Sequence, residues 1–195
     1  MAVGIIALIS AITLVNSGIL SATSKVNAAA NAVYDTAKKT RHNSISVKEF
    51  GGDLFPSYGI YLDMSSPDKI IVYADCEAND RDTAEEISEG RAPIVNDNDD
   101  FDYDQANCAG GNLVEEITLP YGAKIKELRY ISAFDSSGTQ QKIFMEFLRP
   151  EPTIWITLDD GSLLPAGRIE ADITDASGKV SKTVIFRSTG QFSIE

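Results

Sequence analysis

The sequence contains a single histidine, His42, and two cysteines, Cys76 and Cys108, among 195 residues. It has no serine-nucleophile elbow, no phosphate-binding P-loop, no paired-histidine zinc motif and no dinucleotide-binding glycine pattern. Most catalytic and metal-binding constellations draw on these residue types or motifs. The sequence therefore predicts a protein that is not an enzyme and uses no cofactor. Pairs of carboxylates do not change this prediction, because 29 acidic residues form such pairs by chance.

Positive charge is also scarce, with 17 basic residues against 29 acidic ones and a net charge of −12. Nucleic acid is excluded as a partner, because binding a phosphate backbone requires clustered Lys and Arg. The charge is unevenly distributed: residues 1–48 are basic by four, so the remainder is acidic by sixteen. The basic segment suits anionic lipid head groups or an acidic neighbour, and a merely solvated helix face is an equal alternative.

Charge is absent altogether from the first stretch, Ala2–Leu20, and the first charged side chain is Lys25. An uncharged run of this length is close to the roughly 20 residues that cross a bilayer as a helix. It also overlaps the length of a signal-peptide core. We therefore expect either a membrane anchor or a cleaved signal here, and the residues that follow favour the anchor.

Residues 21–48 continue the helical pattern, with Val26, Ala30, Val33 and Ala37 on one stripe. The segment is rich in alanine and contains no proline or glycine, and Gly51-Gly52 is expected to end it. The sequence predicts one long N-terminal helix over residues 1–50, with a transmembrane first half and an amphipathic second half. The predicted localisation is single-pass in a membrane, with the C-terminal domain periplasmic or extracellular.

From residue 51 to 195 the pattern changes to short β-rich runs separated by turn residues, which predicts an exported, mostly antiparallel β-domain. The fold class is therefore predicted as α+β, with the long helix carrying this domain. The strongest hairpin signal is the turn at Ser177-Gly178. The aromatic residues within predicted strands are expected in the core: Phe134, Phe144, Phe147 and Trp155. The predicted strands are Tyr58–Leu62, Lys69–Ala74, Val114–Leu119, Ala123–Phe134, Lys142–Phe147, Thr153–Leu158, Gly167–Thr174 and Val180–Arg187.

An acidic loop is expected at residues 75–112, with twelve acidic side chains and two basic ones. Within it Asp100, Asp102 and Asp104 have the spacing of the first calcium ligands of an EF-hand. The rest of that motif is missing, because Gln105 replaces the required glycine and Gly111 replaces the bidentate glutamate. These aspartates are weak calcium candidates, and the alternative is a solvated acidic loop. In an exported protein, Cys76 and Cys108 are expected to form a disulfide at its edges.

Several segments resemble the minor pseudopilins and minor pilins of the type II secretion H-like class, which are type IV pilin-like proteins. The matching features are IALISAITLVN (residues 6–16) followed by an alanine-rich helix, KEFG (residues 48–51) and YGIY (residues 58–61). YADCEAND (residues 73–80) and FLRPEPTIWIT (residues 147–157) are similar to later segments of the class. The resemblance implies a non-catalytic structural subunit of a type IV pilus or type II secretion pseudopilus. Its implied partners are the inner membrane and other pilin or pseudopilin subunits, contacted through the N-terminal helix.

The chain departs from that class at its start. Family precursors begin with a short basic leader, a glycine at the peptidase junction and an early glutamate, whereas this chain opens Met1-Ala2-Val3 and has no acidic residue before Asp35. We expect the true start to lie upstream. The alternative function is a secreted ligand-binding or calcium-binding β-domain with a cleaved signal peptide, for which the small residues at 28–32 offer cleavage sites.

Overall fold

A computed structural model describes residues 2–46, 49, 57–75, 113–134, 136–147, 153–164 and 166–195, with side chains from residue 21 onward. The chain begins with helix α1, Ala2–Ile45. A 3-10 turn, Pro120–Gly122, precedes β4. Within these ranges the chain forms ten strands: β1 (Ser57–Asp63), β2 (Lys69–Asp75), β3 (Leu113–Thr118), β4 (Lys124–Ser132), β5 (Ser137–Gln140), β6 (Lys142–Phe147), β7 (Ile154–Leu158), β8 (Gly167–Thr174), β9 (Ser181–Arg187) and β10 (Phe192–Ile194).

The strands form two five-stranded sheets in which every neighbouring pair is antiparallel. The first sheet has the order β3-β2-β1-β6-β7, and the second has the order β10-β9-β8-β4-β5. The chain therefore passes between the sheets three times, after β3, β5 and β7. The second passage is the shortest, because only Gln141 separates β5 from β6.

Both sheets and the helix share one hydrophobic core. Each sheet contributes the alternating residues of one face, as expected when one face of an antiparallel sheet is buried. The first sheet contributes Ile60, Leu62, Ile70, Ile143, Met145, Phe147 and Ile156, and the second contributes Ile125, Leu128, Ile169, Ala171, Ile173, Val184 and Phe186.

Helix α1 is part of this core over residues 21–45. The stripe Val26, Ala30, Val33 and Ala37 is buried, with exposure of 1% or less, as its spacing predicts. Its small side chains let the helix contact strands of both sheets closely. Near the C-terminal end of the helix, the Ser44 hydroxyl donates a hydrogen bond to the carbonyl oxygen of the first sheet's Phe147.

These contacts correct the predicted fold class. The chain is mostly β, with two five-stranded antiparallel sheets, and is not a domain carried on a long helix. The error has a physical reason: a sequence period shows that one helix face is apolar but not what covers it. Here both sheets of the same chain cover it, so the helix belongs to the body of the fold.

The predicted membrane span is also wrong. Within the described ranges, no helix combines the length and apolar character that crossing a bilayer requires. From residue 21 onward, α1 carries Lys25, Asp35, Lys38, Lys39 and Arg41, and charges at this density are costly in lipid. This finding contradicts the transmembrane first half of the helix and the single-pass membrane localisation.

The eight predicted strands correspond to eight of the ten observed, and two strands were missed. β5 (Ser137–Gln140) and β10 (Phe192–Ile194) are the two strands that were not predicted. The expected aromatic core is confirmed for Phe147, which is 2% exposed, and is wrong for Phe134, which is 76% exposed. Phe134 lies beyond the end of β4, in the turn that leads to β5.

Candidate functional site: a cationic groove beside strand β10

The site residues predicted from sequence lie outside the described residues. These are Cys76 and Cys108 of the expected disulfide and the calcium candidates Asp100, Asp102 and Asp104. Across the ranges that the structure does describe, no group of three or more His, Cys, Asp or Glu side chains is placed to hold a metal ion. His42 is exposed in the last turn of α1.

A groove of about 640 Å³ lies between α1 and the hairpin formed by β9 and β10. We call it the cationic groove, because it contains three basic side chains. Its lining residues are Tyr34, Lys38, Arg41, Arg187, Gly190, Gln191, Phe192, Ser193 and Glu195.

The helix side of the groove consists of Tyr34, Lys38 and Arg41, which recur at the spacing of one helix face. The ammonium nitrogen of Lys38 lies 4.7 Å from the centre of the Tyr34 ring, within the range of a cation–π contact. One terminal nitrogen of Arg41 donates to the carbonyl oxygen of Gly190 at 2.9 Å. Arg41 Nε is buried and has no hydrogen-bond partner among the described residues, so this guanidinium retains donor capacity.

The strand side is positioned by the ring of Phe192. Its centroid lies 6.4 Å from that of Tyr34, 6.0 Å from Phe147 and 5.9 Å from Phe186, each with the edge-on geometry that aromatic pairs prefer. This packing ties the short strand β10 to the helix and to both sheets. On the opposite side of β10, Arg187 donates from Nη1 to the Ser193 hydroxyl at 3.2 Å.

The three basic side chains of the groove are not neutralised by carboxylates. In the part of the chain that the structure describes, Lys38, Arg41 and Arg187 form no salt bridge. The one carboxylate side chain in the lining is the exposed Glu195. Guanidinium groups present planar pairs of donors that match carboxylate and phosphate oxygens. The arrangement is therefore suited to binding an oxyanion.

The groove also runs along a free sheet edge. β10 is the terminal strand of the second sheet and, of the strands that the structure describes, pairs only with β9. Gln191 and Glu195 are tied to β9 by backbone hydrogen bonds with Arg187 and Thr183. In an antiparallel pair, residues alternate between bonding to the neighbour and pointing away from it. The amide and carbonyl groups of Phe192 and Ile194 therefore point away from β9, and no hydrogen bond joins them to another described residue.

Sequence reasoning missed this site although part of its signal was visible. The spacing of Tyr34, Lys38 and Arg41 marks one helix face, and an acidic neighbour was one interpretation of this basic segment. The other half was not visible, because β10 is too short to show an alternating pattern. Tyr121 was missed as well: it is 65% exposed and has a left-handed backbone conformation (φ 61°), which is unusual for an aromatic residue.

No family model, curated protein or solved structure matches this chain.

Proposed function

We propose that this chain is a non-catalytic structural subunit of a pilin-like filament, of the kind found in type IV pili or type II secretion pseudopili. Its partners are other pilin or pseudopilin subunits, which it contacts through α1. The two sheets provide the surfaces for more specific contacts. The proposal rests on the sequence resemblance and on one property of α1.

That property is the continuity of an uncharged apolar segment with a helix that is anchored in the core. The helical backbone runs from Ala2 to Ile45 without a break. Residues 2–20 of this helix carry no charge, whereas the sheets of the same chain bury the stripe that starts at Val26. A helix whose sequence is apolar on all sides is normally buried by a partner, and helices of neighbouring subunits supply such a partner.

The proposal is tested by co-expressing two copies of the full chain that carry different affinity tags. One copy is purified through its tag, and the amount of the other copy recovered with it is measured. We expect the two copies to co-purify. Ile9→Asp, within the uncharged segment, should reduce recovery at least about tenfold, because a buried carboxylate without a partner is costly. Asn31→Asp introduces the same side chain at an exposed position of α1 and serves as the matched control.

Two results would contradict the proposal. Failure of the two tagged copies to co-purify would show that the chain does not self-associate. Equal recovery of the Ile9→Asp variant, the Asn31→Asp variant and the unchanged chain would show that association does not involve the apolar part of α1.

A further inference from the structure

We propose that the cationic groove binds an extended acidic peptide segment of a partner protein, which adds as a strand to the free edge of β10. This inference does not depend on the filament proposal, because it concerns a different surface. It rests on the backbone of β10, the basic side chains on both sides of it and the unused donor of Arg41.

The first step is the backbone. An extended peptide that joins a sheet edge forms main-chain hydrogen bonds with the outward-pointing groups of the edge strand. Phe192 and Ile194 offer an amide and a carbonyl each, all free within the described chain. Because Phe192 is fixed by its three ring contacts, this edge is ordered before a partner arrives, and less ordering entropy is lost on binding.

The second step is the position of the charges. Successive side chains of an added strand point to opposite sides of the sheet. Towards one side they meet Lys38 and Arg41 of α1, and towards the other they meet Arg187. Residues i and i+3 of a helix are roughly 5–6 Å apart, and alternate residues of a strand are roughly 6–7 Å apart. Two carboxylates separated by one residue therefore match Lys38 and Arg41.

The third step is the choice of an acidic partner. All three basic side chains line the groove, and none of them forms a salt bridge in the described chain, although the whole protein has a net charge of −12. Screening limits the repulsion from distant acidic groups to about 8–10 Å at physiological salt, so a short segment in the groove experiences mainly the local positive charge. Arg41 Nε supplies a buried donor that a carboxylate oxygen satisfies.

The test uses the full chain and a fluorescently labelled peptide of seven aspartates, whose carboxylates point to both sides of the sheet, with binding followed by anisotropy. We expect saturable binding that weakens as salt is raised. Replacing Asp by Asn throughout the peptide should weaken binding at least about tenfold, because charge-assisted hydrogen bonds are about twice as strong as neutral ones. Arg187→Gln and Arg41→Gln in the protein should each weaken binding at least about fivefold.

The matched protein control is Lys124→Gln, which removes one positive charge from an exposed position of β4, outside the groove. It should bind the peptide as the unchanged chain does. Circular dichroism of each variant establishes that it is folded, which matters for Arg41 because of its bond to Gly190. Equal weakening by Lys124→Gln and Arg187→Gln would overturn the proposed location.

Strand addition is tested separately with two peptides, each N-methylated on one alternate set of amides. In one peptide, methylation removes the amide donors that face β10, and this peptide should lose binding. The other peptide, methylated on the amides that face away from β10, should retain it. Full binding of both would overturn strand addition. Complete competition by millimolar inorganic phosphate, together with binding of both methylated peptides, would identify the groove as a site for small anions and would also contradict the proposal.

Discussion

Two guanidinium groups that lie directly opposite each other in the second sheet have different surroundings. Arg168 of β8 and Arg187 of β9 are partners in the strand register. Arg168 donates from Nε to a carboxylate oxygen of Glu170 at 2.8 Å, whereas the Arg187 guanidinium has only the hydroxyl of Ser193 as a partner among the described side chains. The difference comes from the residue two positions away on each strand, which lies on the same face: this is Glu170 for Arg168 and the aliphatic Ile185 for Arg187.

Arg168 belongs to a charged network that we call the ionic face, on the side of the second sheet away from the core. Arg129 lies 3.2 Å from Glu170 and 3.3 Å from Asp172, measured from Nη2 to the nearest carboxylate oxygen. The Asp172 carboxylate also accepts a hydrogen bond from the Thr183 hydroxyl at 2.6 Å. On the ionic face, positive charge is used to stabilise the fold. In the cationic groove it is left available, and this availability is typical of a binding surface.

The largest effect should come from removing the shared carboxylate of the ionic face. Glu170→Gln leaves Arg168 without its carboxylate and directly opposite Arg187, and like charges in this position are destabilising. We expect the free energy of unfolding in urea to fall by about 1–2 kcal/mol, given that the Glu170 side chain is only 12% exposed while its arginine partners are about 40% exposed.

The control is Glu115→Gln, which breaks the exposed pair that Glu115 forms with Lys39 at 2.6 Å. Exposed pairs contribute little, so the loss should stay within about 0.5 kcal/mol. Equal losses for the two variants would show that the ionic face is no more stabilising than an ordinary surface ion pair.

The next largest effect concerns the carboxylate of Asp175, which is stabilised by hydrogen bonds rather than by a salt bridge among the described residues. Asp175 begins the turn between β8 and β9 and accepts hydrogen bonds from the Ser177 hydroxyl and from the amides of Val180, Ser177 and Lys179. The side-chain hydrogen bond from Ser177, followed by the amide bond from Val180, lowers the pKa of Asp175 from 3.8 to about 2. Asp175→Asn should therefore lower the melting temperature at pH 7.

The pH dependence has a defined sign. A lowered folded-state pKa stabilises the protein above the ordinary pKa, and this stabilisation is lost as the pH falls towards the folded-state value. The difference in melting temperature between Asp175→Asn and the unchanged chain should be constant above about pH 5 and should shrink between about pH 4 and pH 2. A difference that does not change with pH in thermal melts would show that the ionised form is not the one the turn stabilises.

The smallest effect should come from placing a carboxylate next to Arg187. Ser193→Asp places an acidic side chain where the Ser193 hydroxyl now lies, 3.2 Å from Arg187. We expect the free energy of unfolding to rise by about 0.5 kcal/mol at low salt and the gain to disappear at high salt. Ser193→Asn is the neutral control. Identical stabilities of the two variants at low salt would mean that Arg187 is not available for pairing.

The parts of the fold that sequence could predict are those specified by neighbouring residues. The β8–β9 hairpin was predicted from its turn, where Gly178 has a positive φ of 71° that glycine adopts readily. The buried stripe of α1 was predicted from its spacing. The strands that cover that stripe could not be predicted, because contacts between distant segments leave no local pattern in the sequence. The same applies to β10, whose position depends on Phe192 contacting Tyr34, Phe147 and Phe186.

The candidate site was therefore only half predictable, since its helix side follows a local period and its strand side does not. The calcium and disulfide candidates stay predictions, because Asp100, Asp102, Asp104, Cys76 and Cys108 fall outside the described residues. The order of strands was also beyond sequence reasoning. Each run signals a strand, but nothing in β5 or β6 indicates that the chain changes sheets at Gln141.

The contact between α1 and the β9–β10 hairpin has a consequence for the order of folding. The bond from Arg41 to Gly190 joins residues 149 positions apart in the sequence. Closing so long a loop is entropically costly and slow compared with forming a local hairpin. The ribosome also delivers α1 long before β10. The buried stripe of the helix therefore cannot be fully covered until the final hairpin has formed, and during this interval the new chain depends most on protection from aggregation.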